Sequence, residues 1–196
     1  MSDFWIYFET GLNHVLNIKS YDHVLFLMAL SVPHSFKDWK KILLLLTVFT
    51  VGHTLALVLS VFEIVMIKAQ WVEFLIPITI LIAAVFNFFT VGKTTRREFG
   101  NSIVLIALFF GVIHGLGFSN YFKAILPGSS SQKVAPLLEF ALGIEVAQML
   151  VVIFMLLLSY SVQTFFRFSK RDFTIVTSAF IVGVVVPMII QNEIWN

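Results

Sequence analysis

Tyr21-Asp-His-Val-Leu-Phe-Leu-Met-Ala-Leu-Ser-Val-Pro33 is an apolar run that starts on two ionisable residues and stops at a proline. A helix needs about 20 mostly apolar residues to cross a ~30 Å hydrocarbon core, and the dozen from Tyr21 to Val32 cover only ~18 Å. Pro33 disfavours helix in the residue before it, so the run cannot lengthen at that end. A first span must therefore reach back through the polar stretch His14-Val-Leu-Asn-Ile-Lys-Ser-Tyr-Asp22-His23. Asn17-Ile-Lys-Ser20 can break the helix between His14 and Asp22, so Asp22 and His23 are favoured over His14 as ligands.

Outward from this stretch the chain is mostly oil. Five runs are long enough to span alone: Ile42 to Phe62, Val72 to Thr90, Ser102 to Phe118, Leu137 to Tyr160 and Phe173 to Ile190. With a first span over roughly 12–33 they predict an all-α, polytopic transmembrane helical bundle of about six spans, a single membrane domain over residues 1–196. The composition agrees, with 59% hydrophobic and 12% charged residues among 196, 22 phenylalanines and a mean hydropathy of +0.94. The N-terminus, Met1-Ser-Asp-Phe-Trp-Ile-Tyr-Phe-Glu9, is acidic and aromatic and lacks the basic region of a signal peptide, so it reads as retained. A scattered net charge of +2 without a Lys/Arg block argues against nucleic acid as a partner. With no cysteine, disulfides, thiolate metal sites and thiol catalysis are excluded.

Orientation follows from the cations. Lys37, Lys40, Lys41, Lys93, Arg96, Arg97, Arg167, Lys170 and Arg171 put nine of the 13 Lys and Arg residues on one side. Those loops are assigned to the cytoplasm, which puts both termini outside. Trp5, Trp39, Trp71 and Trp195 all fall at predicted span ends, where amphipathic rings prefer to sit. The longest outside loop, Ser119 to Pro136 with Pro127-Gly-Ser-Ser-Ser131, reads as a turn-rich connector, and Lys19 can snorkel or face water.

An aspartate at the centre of a membrane helix costs ~2.5 to 3.5 kcal/mol on insertion scales, so ionisable groups there call for partners. Asp22, His23, His53, Glu73, His114 and Glu145 all fall between the midplane and the outer face on five spans. Singly, each has a plain alternative. His53 with Thr50 one turn away makes an equally good interhelical hydrogen-bond partner, Glu73 beside Trp71 is more simply solvated, and His34 next to Pro33 reads as an interface residue. Their convergence at one depth, with no deep cation to neutralise the acids, favours a bound divalent cation. Imidazole and carboxylate without thiolate suit nickel, zinc, cobalt or iron. Gln148, on the same helix face as Glu145, suits an outer partner that holds a ligand in place, and Asn87 is the one strongly polar group in the inner half.

The chain resembles the HupE/UreJ family of bacterial membrane proteins, described as nickel permeases, over nearly its whole length. The resemblance rests on Gly11-Leu-Asn-His14, Tyr21-Asp-His-Val-Leu-Phe-Leu27, Thr47-Val-Phe-Thr-Val-Gly-His-Thr-Leu-Ala-Leu57 and Val72-Glu73 with Asn87. It continues in Phe110-Gly-Val-Ile-His-Gly-Leu-Gly-Phe118 and Leu142-Gly-Ile-Glu-Val-Ala-Gln148. The family motifs mark His14, Asp22, His23, His53, Glu73, His114, Glu145 and Gln148. Ser20 stands where the family usually has Gly, and Ala141 where Asn is common, so metal preference does not carry over. The resulting expectation is a metal site of His14, Asp22, His23, His53, His114 and Glu145, with Glu73, Gln148, Asn87 and Thr50 as outer partners.

The resemblance implies a divalent metal-ion permease of the bacterial inner membrane, capturing its ion from outside through His14, Asp22 and His23 and passing it to His53, His114 and Glu145. The inner halves of the spans offer almost no ligands, for example Ile42-Leu-Leu-Leu-Leu-Thr47 and Val151-Val-Ile-Phe-Met-Leu-Leu-Leu158. That asymmetry keeps open a metal-dependent intramembrane hydrolase acting on a lipid, lipoprotein or peptide at the outer leaflet, with Glu145 or Asp22 as base. A metal-stabilised, non-catalytic membrane scaffold is the third reading. The Phe-rich faces suit membrane lipid, a second copy of the chain or a partner membrane protein.

Overall fold

The computed structural model describes residues 3–17, 21–92, 100–126 and 132–195, and the described residues are helical without strands. Seven α-helices follow in order: α1 Asp3–Leu16, α2 Asp22–Ser31, α3 Trp39–Val61, α4 Ala69–Thr90, α5 Gly100–Ile125, α6 Val134–Phe165 and α7 Lys170–Ile190. Short 3-10 turns at Phe36–Asp38 and Glu193–Trp195 precede α3 and follow α7. Lys19, Ser20, the cations Lys93, Arg96 and Arg97, and the stretch 127–131 lie outside the described residues.

The chain is a membrane protein. Five helices, α3 to α7, are long and apolar enough to cross a membrane. Helices satisfy their own backbone groups, which is what a medium without water requires. Large apolar side chains such as Leu55, Phe109, Phe154 and Phe180 point outward, as lipid contact demands.

The first span departs from the expected 12–33. It is two half-helices: α1 ends at Leu16, α2 begins at Asp22, and Asn17 and Tyr21 between them are not helical. The halves follow α5 in reverse order. Tyr7 donates to the Ile125 carbonyl at 3.3 Å, the His14 ring lies 3.9 Å from that of Phe118, His23 lies 4.9 Å from His114 and Phe26 lies 5.8 Å from Phe110. Their 14 and 10 residues give about 36 Å of helix together, enough to traverse the bundle. Contacts also join the two chain ends to one end of the bundle. Tyr7 reaches the end of α5, while Gln70 at the start of α4 donates to the Glu193 carbonyl at 3.2 Å. The expected outer connector is shorter than Ser119 to Pro136, since α5 stays helical to Ile125.

Two glycine contacts set the packing. A Cβ on Gly52 would lie 2.3 Å from the Leu108 carbonyl oxygen, and one on Gly111 2.2 Å from that of Phe49, so α3 and α5 touch backbone to backbone. Gly11 and Gly143 do the same for α1 and α6, at 2.2 and 2.1 Å from the carbonyls of Phe140 and Phe8. Without a hydrophobic drive between helices in lipid, such close approach supplies the association. It also positions function: Gly52 precedes His53, Gly111 lies one turn from His114 and Gly11 one turn from His14.

Candidate metal site

Four histidines from four helices form one layer. Ring centroids are 4.5 Å apart for His14 and His23, 5.5 Å for His14 and His53, 6.0 Å for His23 and His53, and 4.9 Å for His23 and His114. Two groups of ligating atoms lie within 4.8 Å of one another: His14, His23 and His53, and Asp22, His23 and His114. His23 belongs to both. His23, His53 and His114 are 3, 0 and 1% exposed. Asp22 Oδ1 lies 3.5 Å from His23 Nδ1, beyond hydrogen-bond length but close enough to orient the ring as carboxylates do behind metal-bound histidines.

The layer opens on one side to a cavity of about 690 Å³ whose lining includes Thr10, Asn13, Asp22, Glu73, Pro77 and Tyr121 together with His14, His23 and His114. Asp22 and Glu73 give it negative charge, and no Lys or Arg is among its described lining residues, a balance that favours cations. Pro77 has no N–H, which leaves the Glu73 carbonyl without its usual helical donor on the same cavity wall. On the opposite side the layer rests on phenylalanines. Phe26 stacks on Phe49 at 4.8 Å and meets Phe110 at 5.8 Å, and His114 sits 5.5 and 5.3 Å from Phe26 and Phe49. Each of these rings lies one helical turn from a histidine of the layer, Phe26 from His23, Phe49 from His53 and Phe110 from His114.

One hydrogen bond decides the form of His114. Thr79 donates its hydroxyl proton to the Ile76 carbonyl at 2.7 Å, which leaves only lone pairs facing His114 Nε2, 3.3 Å away. With the hydroxyl proton on the Ile76 carbonyl, the ring proton belongs on Nε2, and Nδ1, buried and without a hydrogen-bond partner, has the lone pair.

The other expected residues stand apart from this layer. Glu145 belongs to neither group of ligating atoms. It accepts from Thr47 at 2.7 Å and from Thr50, and Thr50 lies 3.3 Å from Gln148, which is fully buried. Asn87 ties helices together instead, donating to the Ala29 carbonyl at 2.8 Å and to Ser178 at 3.3 Å. Glu73 is exposed at the wall of the large cavity. His34, read from the sequence as an interface residue, is 4% exposed, with Nδ1 3.1 Å from the Leu30 carbonyl. Its proline and lysine neighbours suggest an interface and give no sign of that burial. Thr79, one of two hydroxyl residues in the apolar helix α4, was not among the expected residues.

The family model described as HupE / UreJ protein matches residues 1–193. No curated protein and no solved structure gives a match.

Proposed function

The chain belongs to the HupE/UreJ family, and on that premise we propose that it is a nickel-type permease whose substrate, a divalent transition metal ion, binds the histidine layer. One observation carries the reading. Six imidazole nitrogens of His14, His23, His53 and His114 are buried without hydrogen-bond partners. Leaving a buried polar atom unpaired costs about 1–3 kcal/mol, so six of them rival the ~5–15 kcal/mol net stability of a typical domain. A cation held by one lone pair on each of the four rings relieves up to four of these nitrogens; the other nitrogen of His23 and of His53 is an N–H donor. Neutral nitrogen and carboxylate oxygen suit nickel, cobalt, zinc or iron.

In this reading the ion enters the 690 Å³ cavity, meets Asp22, His23 and His114, and passes across the shared His23 to His14 and His53. Glu73 draws it in, and Thr79 fixes the ligating nitrogen of His114. Glu145, Gln148 and Thr50 hold α6 to α3 behind the layer. In this reading the membrane is a bacterial inner membrane and the cavity faces outside; the cations Lys37, Lys40, Lys41, Arg167, Lys170 and Arg171 support a cytoplasmic side for the opposite end of the bundle. The test is metal uptake by vesicles carrying the purified protein. His53→Ala and Asp22→Ala abolish accumulation of nickel or cobalt, and a folded wild type that moves no metal overturns the proposal.

The cavity volume favours one second reading, since 690 Å³ exceeds the need of a single ion and suits a small organic group. A metal-dependent hydrolase would hold its ion with three protein ligands and an open, water-bearing position, with Asp22 as base. Asp22 rather than Glu145 suits that role, because Glu145 is engaged by Thr47 and Thr50 and lies in neither group of ligating atoms. Hydrolysis of a lipid or peptide by the metal-loaded protein, without metal flux, would establish this alternative.

A further inference from the structure

A neutral imidazole has two ring nitrogens but one lone pair, because the other nitrogen carries the proton. That limit bears on His23. It belongs to both groups of ligating atoms, with His14 and His53 in one and with Asp22 and His114 in the other. Both of its nitrogens are buried without a hydrogen-bond partner, so either can be the bare one. Two groups thus draw on one ring, and a neutral His23 completes only one of them at a time. Coulomb repulsion points the same way, since two dications held by one ring lie close together in a buried layer whose ligating carboxylate is Asp22.

We infer that the layer holds one ion at a time, in either of two overlapping positions, and that His23 hands the ion from the first to the second by exchanging which of its nitrogens is bare; the inference deepens the permease reading and rests on it. The geometry at Asp22 assigns the nitrogens. Its Oδ1 stands 3.5 Å from Nδ1, beyond hydrogen-bond length but close to the ~3.4 Å that separates two ligands of a tetrahedral ion with bonds of ~2.0–2.1 Å. In the first position Asp22, Nδ1 of His23 and Nδ1 of His114 hold the ion at the wall of the large cavity, which all three residues line. In the second, Nε2 of His23 joins His14 and His53, and because His53 is fully buried this position is the more enclosed one. As the ion crosses, Nε2 releases its proton and Nδ1 takes one up through the solvent of the large cavity, so the proton count of the ring is unchanged. Asp22 changes part as well. Freed from the ion, its carboxylate accepts the Nδ1 proton once the 3.5 Å gap closes slightly, as carboxylates do behind metal-bound histidines.

Zn²⁺ alone is the probe, since it is diamagnetic and takes imidazole and carboxylate ligands. Equilibrium dialysis of the purified protein with elemental analysis counts the ions, and the nitrogen-15 shifts of His23 report which nitrogen is ligated. At saturation the wild type, His53→Ala and His114→Ala each bind one Zn²⁺ per chain, although each variant lacks a ligand of a different position. His23 is ligated through Nδ1 with its proton on Nε2 in His53→Ala, and the reverse holds in His114→Ala. Two ions per wild-type chain overturn the exclusive pair, and that count depends on no variant. The same ligating nitrogen in both variants overturns the hand-over, as does loss of binding in either variant while circular dichroism shows it folded. These results leave the permease reading intact when the wild type moves metal into proteoliposomes. A wild type that moves none overturns the permease reading itself, and the hand-over falls with it.

Discussion

His14 ends helix α1 and His23 opens helix α2, and their rings meet at 4.5 Å across the break between the two. A break at that depth exposes backbone groups, which lipid cannot solvate, so it is tolerated only where it lines protein or water. Asn17 and Tyr21 line the large cavity, which supplies that environment. The break also brings two unlike helix ends together. The carbonyl end of α1 suits a cation beside His14, and the amide end of α2 suits the acidic side chain of Asp22. A continuous helix over the same residues would place neither.

His23 is shared by both groups of ligating atoms, so its loss damages both. His23→Ala is expected to weaken nickel or cobalt binding by more than His53→Ala or His114→Ala, each of which leaves one group whole. Titration calorimetry on folded protein reads the ranking. Equal losses in all three variants would mean that the layer acts as a single site without sharing.

Thr79 acts through His114. Thr79→Val removes the acceptor that holds the proton on Nε2, and loss of such an outer partner costs ~10–100-fold in metal affinity. Thr79→Ser keeps the hydroxyl and restores it. The nitrogen-15 shifts of His114 separate this from a packing defect, because the valine variant populates the other tautomer. Unchanged shifts with unchanged affinity would remove Thr79 from the site.

Much of this was legible in the sequence. The five long spans follow from apolar length, and their helices bear it out. The letters also pointed to the residues that the fold gathers into one layer, because an ionisable side chain in lipid has few neutral explanations. What the letters could not give is which of them meet. Glu145 shares a depth with His53 yet turns toward Thr47 and Thr50, a matter of helix rotation that a nearly all-apolar helix does not encode. The first helix begins at Asp3, before the expected residue 12, because the aromatic N-terminal residues continue it, and the burial of His34 leaves no mark in its proline and lysine neighbours.

Glu145 separates a ligand from a tie. If it serves only Thr47 and Thr50, Glu145→Leu lowers stability by about 0.6 to 1.7 kcal/mol, the range for hydrogen bonds between membrane helices. Metal affinity stays within about twofold, the scale of a few tenths of a kcal/mol. Thermal unfolding in detergent and metal titration read the two effects on one sample. A collapse of affinity would instead return Glu145 to the ligand set that the sequence suggested.

The glycine contacts make the most direct link between packing and site. At Gly111 a methyl group would sit 2.2 Å from the Phe49 carbonyl oxygen and 3.1 Å from the His53 backbone nitrogen. Neither is a flexible side-chain end, so α3 and α5 must separate. Overpacking of this kind costs about 1–3 kcal/mol, and the separation moves His53 away from His114, so Gly111→Ala is expected to lose both stability and metal affinity. Gly183 in α7 has open space where its Cβ would go. In lipid the helix is already formed before the bundle assembles, so Gly183→Ala gains little from helix propensity and should stay within about 0.5 kcal/mol of wild type. Detergent melts paired with metal titrations of the two variants compare them directly, and a Gly111→Ala protein indistinguishable from Gly183→Ala would show that the backbone contact does not set the spacing of the histidines.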